Sequence, residues 1–520
     1  MGAMKTPGVY IVEKNAFPSS VVEVATAVPA FVGYTETAVN GTDSLINKPW
    51  KINSMSEFQK YFGGAPAPTF TILSSTEATN DNKLLVDDDK LDEEKKKTAK
   101  SKETVKVDKN VFRTNTSQGI FTIEAKNNYT MYYNMMLFFA NGGGSCYIVS
   151  IGDYNTLQEA KGFLTGLSSL STEMEPTMIV IPEAVNLPTD DCNKVQQQML
   201  MHCGDMKSRV AILDVPVNRY PQTDTIVDYI TPFRETANNN LSYGAAYYPW
   251  LLTSVLSDSD ITEDFIRFSS TIQEFIKLTL PEGDTQNNLI DFVEKNTTDN
   301  KLTKEIHQVL LQNVPAYQQI IKSVKENLNL LPPSAAMAGI YSMTDDSRGV
   351  WKAPANVSVN MVIKPSVNIT NAEQEDLNMP LNGKAVNAIR SFISDGIKVW
   401  GARTLDGNSQ DWRYINVRRT MIYLEESVKN AARSYVFEPN DSGTWINMKC
   451  MIENFLRSVW KRGGLAGATP EDAYNVFVGL GETMTPEDIL DGIMRITVLV
   501  AISRPAEFIE ITFQQQMQKS

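Results

Sequence analysis

The segment that most constrains how this chain can fold is Ile493-Met-Arg-Ile-Thr-Val-Leu-Val-Ala-Ile-Ser503, followed by Arg504-Pro505-Ala506-Glu507 and then Phe508-Ile-Glu-Ile-Thr-Phe513. The first run is rich in β-branched residues, and Arg495 and Thr497 alternate with Ile496 and Val498, which predicts a strand with one wetter face. Pro505 has no backbone donor and holds Arg504 extended, so the ladder must break there. The second run then begins so near the end of the sequence that it is expected to lack a partner within its own domain. Residues 5–14 pose the same problem at the other terminus, where a Pro7-Gly8 turn precedes one short β-rich run, Val9 to Glu13.

With 520 residues, 42% hydrophobic and 21% charged, the chain has room for more than one well-packed domain. A formal net charge of −13 argues against nucleic acid as a partner, because phosphate contacts need clustered Lys and Arg. The four cysteines (Cys146, Cys192, Cys203, Cys450) are too dispersed for a zinc ribbon and read as buried thiols. The two histidines, His202 and His307, have no ligand-like neighbours at metal spacing. No metal or cofactor is therefore expected. Neither a membrane span nor a leader peptide is visible, so cytoplasmic synthesis and no membrane insertion are expected.

Along the chain, residues 1–20 read as an arm, and Val21 to Glu23 and Val28 to Tyr34 as strands of a body. Ser54 to Phe62 is a capped amphipathic helix stopped by Gly63-Gly64. Residues 74–118 alternate acidic and lysine runs with few apolar side chains, which predicts an exposed insertion. Asn141-Gly-Gly-Gly144 could suggest a phosphate loop, but it lacks a Gly-Lys-Ser/Thr ending and opens onto the strand Cys146 to Ile151, so a helix stop and turn is the better reading. Strand-like runs at 178–182, 209–214 and 241–249 alternate with helical spans, giving an α/β class with a mainly parallel sheet. Residues 257–330 read as a helical insertion packed on that body. Asp345 to Ala355 reads as a loop, 389–393 and 397–400 as two short strands, 414–436 and 443–462 as long helices.

The motifs Pro7-Gly-Val-Tyr-Ile11, Pro29-Ala-Phe-Val-Gly33, Tyr61-Phe-Gly-Gly64, Asn141-Gly-Gly-Gly-Ser-Cys-Tyr-Ile-Val149, Pro332-Pro-Ser-Ala-Ala-Met-Ala-Gly339, Asp345-Asp-Ser-Arg-Gly-Val-Trp-Lys-Ala-Pro-Ala355, Tyr414-Ile-Asn-Val-Arg-Arg419, Val436-Phe-Glu-Pro-Asn440 and Arg504-Pro-Ala-Glu-Phe508 stand in order along the sequence. Together they resemble the contractile tail sheath family, in the flavour of extracellular contractile injection systems. The resemblance implies a subtilisin-like α/β sheath body without proteolysis, an α+β C-terminal domain facing an inner tube, and extended β-strand terminal arms. It divides the chain into an arm at 1–20, a body at 21–385, a tube-facing domain at 386–505 and a second arm at 506–520.

As partners it implies copies of the chain itself in a helical homopolymer of hexameric rings, an inner tube protein, and baseplate and tail-terminator or cap proteins. Assembly would be cytoplasmic, within a phage-tail-like particle that can be released. A Ser-His-Asp hydrolase would need a histidine base that neither His202 nor His307 offers in a subtilase-like motif. A capsid or other tail protein, also built with β arms, stays open as an alternative.

Orphan strands seek an edge elsewhere. The expected guests are Val9, Tyr10, Ile11, Val12, Phe508, Ile509, Ile511 and Phe513, and the expected host is the strand carrying Ile496, Val498 and Val500 in a neighbouring subunit. For the tube, the expected contact is the basic helix end at Arg457, Lys461 and Arg462. The competing reading is a solvated helix terminus whose cations complement the macrodipole.

Overall fold

The structure is a computed structural model that describes residues 21–73, 111–116, 118–217, 228–297 and 301–511. The first arm, most of the charged insertion and Phe513 lie outside the described residues. Among the described residues two compact units emerge, one made of those within 27–347 and 354–415, the other of those within 21–26, 348–353 and 416–511.

The larger unit is built on a nine-stranded sheet. Its central strands Pro29–Gly33, Cys146–Ser150, Met178–Val180 and Val210–Asp214 are buried along their whole length, with no alternation. Continuous burial is what a parallel strand covered on both faces requires. Phe31 sits in register with Ile148 on one side and Val180 on the other, both parallel. The parallel run continues through Gly244–Tyr248 to Asn387–Phe392, and Gly396–Val399 and Val357–Ser358 close that end antiparallel. At the other end Trp50–Ile52 pairs antiparallel with Cys146–Ser150. The α/β class read from the sequence is therefore present. The boundary differs, because Asn387–Phe392 extends the large sheet through Tyr247 and Tyr248, and the division falls after residue 415 where the sequence suggested 385.

Two helix N-termini in this unit are met by buried carboxylates. Glu183 accepts from the backbone N–H groups of Thr130 (2.6 Å), Met131 (3.0 Å) and Tyr34 (2.8 Å). Burial outweighs those three bonds and pushes its carboxyl up to about 7. Gly33 is needed beside it, since a Cβ there would lie 2.7 Å from the Glu183 Oε2. Asp214, also raised by burial to about 7, accepts from the N–H of Ser334 at 2.8 Å.

A second core lies within the same unit. The strands Ile266–Phe268, Thr69–Leu73, Gly119–Lys126 and Val111–Thr116 form a sheet in that order. With the helices from Ile272–Thr279 to Pro315–Leu328 they bury Phe70, Phe112, Phe121, Ile276, Tyr317 and Ile320 together. The helical insertion thus packs with its own sheet, and residues 111–116 are a strand of that sheet, not exposed insertion. Phe112 supplies the reason, being a single aromatic with a buried slot to fill. Here His307 Nδ1 meets the Tyr317 hydroxyl at 2.7 Å. Elsewhere in the unit the His202 ring meets Arg209 at 3.3 Å.

The smaller unit contains most of the helix Ile415–Ala432, the helix Ser442–Lys461 and the two-stranded antiparallel sheet of Tyr474–Phe477 with Thr497–Val500. Asp441 caps Ser442–Lys461 by accepting from the Thr444 N–H at 3.0 Å. The short helices Pro470–Ala473 and Pro486–Leu490 each start with a capping box and a proline in the first turn. Three other expectations are corrected. Val21 to Glu23 form no strand. Asp345 to Arg348 are the last turn of the helix Ser334–Arg348, not loop. Cys450 is exposed, while the other three cysteines are buried.

Candidate assembly surface

The surface begins with the amphipathic helix Ser442–Lys461. Met451, Ile452, Phe455, Leu456 and Val459 line one of its faces, at the spacing that makes a stripe. The two strands lay Tyr474, Val476, Ile496, Val498 and Val500 on that stripe. From Ile493 to Val500 exposure alternates residue by residue, as the sequence pattern predicts, with Thr497 and Leu499 outward. The regular ladder is shorter than expected and covers Thr497–Val500 only.

Hydrogen bonding fixes which edge of that strand is used. The Ala501 N–H donates to the Ala473 carbonyl at 2.8 Å, one step beyond the register pair Tyr474↔Val500. In an antiparallel ladder bonded and non-bonded pairs alternate, so the bonded pairs are 501/473, 499/475 and 497/477. The N–H and C=O of Val498 and Val500 therefore face the opposite edge. Ala466 donates to the Ala501 carbonyl at 2.7 Å and Leu465 bridges Ile502, which extends the occupied edge. Among the described residues no strand pairs with the other edge. A two-stranded ribbon alone is marginal, and here the helix Ser442–Lys461 packed on one face supports it.

Beyond the strand the chain is tied down once more and then runs out. Asn416 Nδ2 donates to the Ser503 carbonyl at 3.2 Å, and Ser503 Oγ donates to the Gly463 carbonyl at 3.2 Å. After Pro505 no described residue forms a strand, and Phe508, Ile509 and Ile511 are 71%, 78% and 70% exposed. Three large apolar side chains thus stand exposed on one short run. Of the residues expected to add to another subunit, Val9, Tyr10, Ile11, Val12 and Phe513 lie outside the described residues.

The three cations expected at the tube are not equivalent. Lys461 is exposed at the end of its helix, and Arg457 is exposed with its Nε 3.4 Å from the Tyr474 hydroxyl. Arg462 is committed inside its own unit. It donates to both carboxylate oxygens of Glu23 at 2.6 and 3.1 Å and to the Tyr423 hydroxyl at 3.3 Å, and it lies 5.3 Å from the Trp351 ring centroid. No local sequence pattern marks Glu23 as its partner.

Against known proteins, the family model described as phage tail sheath C-terminal domain matches residues 408–516. The tail sheath protein of Vibrio phage KVP40 is 25% identical over 164 residues, covering 31% of this chain and 23% of that protein. The tail sheath protein of Burkholderia phage BcepMu is 29% identical over 143 residues, covering 26% of this chain and 30% of that protein. These alignments span less than a third of either relative's own length. Among solved structures, the sheath complex of an extracellular contractile injection system, PVC, in its contracted state is 26% identical with a TM-score of 0.58, covering 99% of each chain. The contracted helical sheath of the anti-feeding prophage is likewise 26% identical with a TM-score of 0.58, covering 99% of this chain and 100% of that one. The family resemblance carried by the sequence motifs is borne out.

Proposed function

We propose that this chain, a relative of the contractile tail sheath proteins, is the structural subunit of a sheath that polymerises helically around an inner tube and contracts to drive it through a target envelope. The observation that carries this reading is the pairing, in one small domain, of an open strand edge at Val498 and Val500 with an exposed apolar run at Phe508 to Ile511. The apolar side chains of the run gain by leaving water, and the open edge offers its backbone a ladder. Strand addition between subunits meets both needs.

Each ladder bond contributes roughly 0.5–1.5 kcal/mol net, so a run the length of either arm contributes several kcal/mol. The contact is head-to-tail, and head-to-tail contacts that do not close on themselves generate a helix. Val9 to Val12 act as the second guest. A mesh joined by arms lets each α/β body, subtilisin-like in this reading, turn as a rigid unit between an extended and a contracted arrangement. Arg457 and Lys461 are the cations best placed for a salt-sensitive, releasable contact with the tube. Baseplate proteins are further partners, as the solved baseplate of the anti-feeding prophage, 27% identical with a TM-score of 0.58, contains a chain of this fold. Tail-terminator or cap proteins complete the set, and assembly is cytoplasmic.

Deletion of residues 1–14 tests the arms. The expected result is a folded protein that forms no contraction-competent sheath in electron micrographs. Normal sheaths from the deleted chain would sink the mesh.

A further inference from the structure

Residues 21–26 make no strand, yet they are fastened along their length to the C-terminal unit. Val21 and Val24, three residues apart, pack against the core that holds Tyr423, Leu424, Phe455 and Val459. The Val24 N–H donates to Ser427 Oγ at 3.2 Å, and Arg419 donates to the Thr26 carbonyl at 3.0 Å. Just before Val24, Glu23 takes both arms of the Arg462 guanidinium, at 2.6 and 3.1 Å. An exposed ion pair alone contributes little, but a bidentate fork held against an aromatic ring and a tyrosine hydroxyl has a fixed geometry. The next residue, Gly463, accepts from Ser503 Oγ at 3.2 Å, just before the exposed run departs.

We propose that Glu23, Arg462 and Tyr423 clamp the root of the N-terminal linking arm to the same turn, Arg462–Gly463, from which the C-terminal run leaves. Arg462 is then a positioning residue for assembly and makes no contact with the tube. The inference rests on the sheath reading and deepens it. With both arms on one anchor, load on one passes to the other through a single rigid turn without straining the α/β body. With the clamp open, residues 21–26 would join the arm and lengthen it by roughly 20 Å, at about 3.3–3.6 Å per extended residue. The added slack would lower the effective concentration of the guest strand at its neighbour's edge.

The test is hydrogen exchange on the full chain below its assembly concentration, beside electron microscopy of assembled material. Arg462→Glu and, separately, Glu23→Gln should raise exchange at the Val24 amide, which donates to Ser427 Oγ, several-fold, leave exchange in the large sheet unchanged, and shorten or abolish cylinders. The swap Glu23→Arg with Arg462→Glu should restore protection and cylinders together. Unchanged exchange in both single variants overturns the clamp. So do normal cylinders despite raised exchange, or a swap that restores protection without assembly, as a tube-contacting Arg462 would give. Absence of cylinders from the wild-type chain would remove the sheath reading, and the exchange data would still decide whether the clamp exists.

Discussion

The Ala501 N–H donates to the Ala473 carbonyl at 2.8 Å, and this one bond sets which backbone groups of the following ladder face outward. Leu499 is bonded inward, and the N–H and C=O of Val498 point outward without a strand partner among the described residues. Proline at the two positions should therefore behave differently. Val498→Pro removes a donor from the open edge only, and should leave the C-terminal unit folded, at a cost of about 1–2 kcal/mol, while abolishing assembly. Leu499→Pro removes an internal ladder bond and should melt the two-stranded sheet. Thermal unfolding beside sedimentation of assembled material separates them, and equal assembly by Val498→Pro and wild type would reject the open edge as the host.

Truncation after Glu507 should be nearly silent for the isolated subunit. Phe508, Ile509 and Ile511 are largely exposed, so their loss should change unfolding free energy by less than about 0.5 kcal/mol. Assembly should fail. A large fall in subunit stability would mean that the run packs on its own chain.

Glu183 makes the larger unit pH-sensitive. Burial disfavours the charge and pushes its carboxyl from the usual carboxylate range up to about 7. An acid raised on folding stabilises fully below its unfolded value, and the contribution disappears as pH rises through the folded value. Between pH 5 and 8 this group should remove about 2–3 kcal/mol. Asp214 adds in the same direction. His202, lowered to about 4 by burial and Arg209, opposes them by losing stability as pH falls from 6.5. Glu183→Gln isolates the term. Its destabilisation relative to wild type, read by calorimetry, should be larger at pH 5 than at pH 8, and a constant difference would show that Glu183 is charged throughout.

Charge reversal at Arg457 and Lys461 should prevent sheath formation around a tube without affecting the melting of the subunit, and the wild-type association should weaken with salt. Assembly unchanged by the reversal would return both residues to the role of cations complementing a helix end.

Much of the local structure was legible because local chemistry decides it. Ser54 caps its helix, Ile493 to Val500 alternate, and the buried strands read as continuous apolar runs. What escaped depends on contacts far apart in sequence. Nothing in Val21-Val-Glu-Val24 announces that it lies on Ser427 and Arg462. Asn387 gives no sign that it extends a sheet through Tyr247, and the short run around Phe112 looks like the tail of a charged loop until its hydrophobic slot is seen. Of the candidate surface, the orphan run and its proline break were readable, whereas the direction of the open edge required the Ala501–Ala473 bond.

The purified chain should assemble by itself into a helical sheath. Negative-stain electron microscopy tests it directly, with long striated cylinders as the expected result. Discrete closed oligomers or smooth unstriated tubes would contradict it.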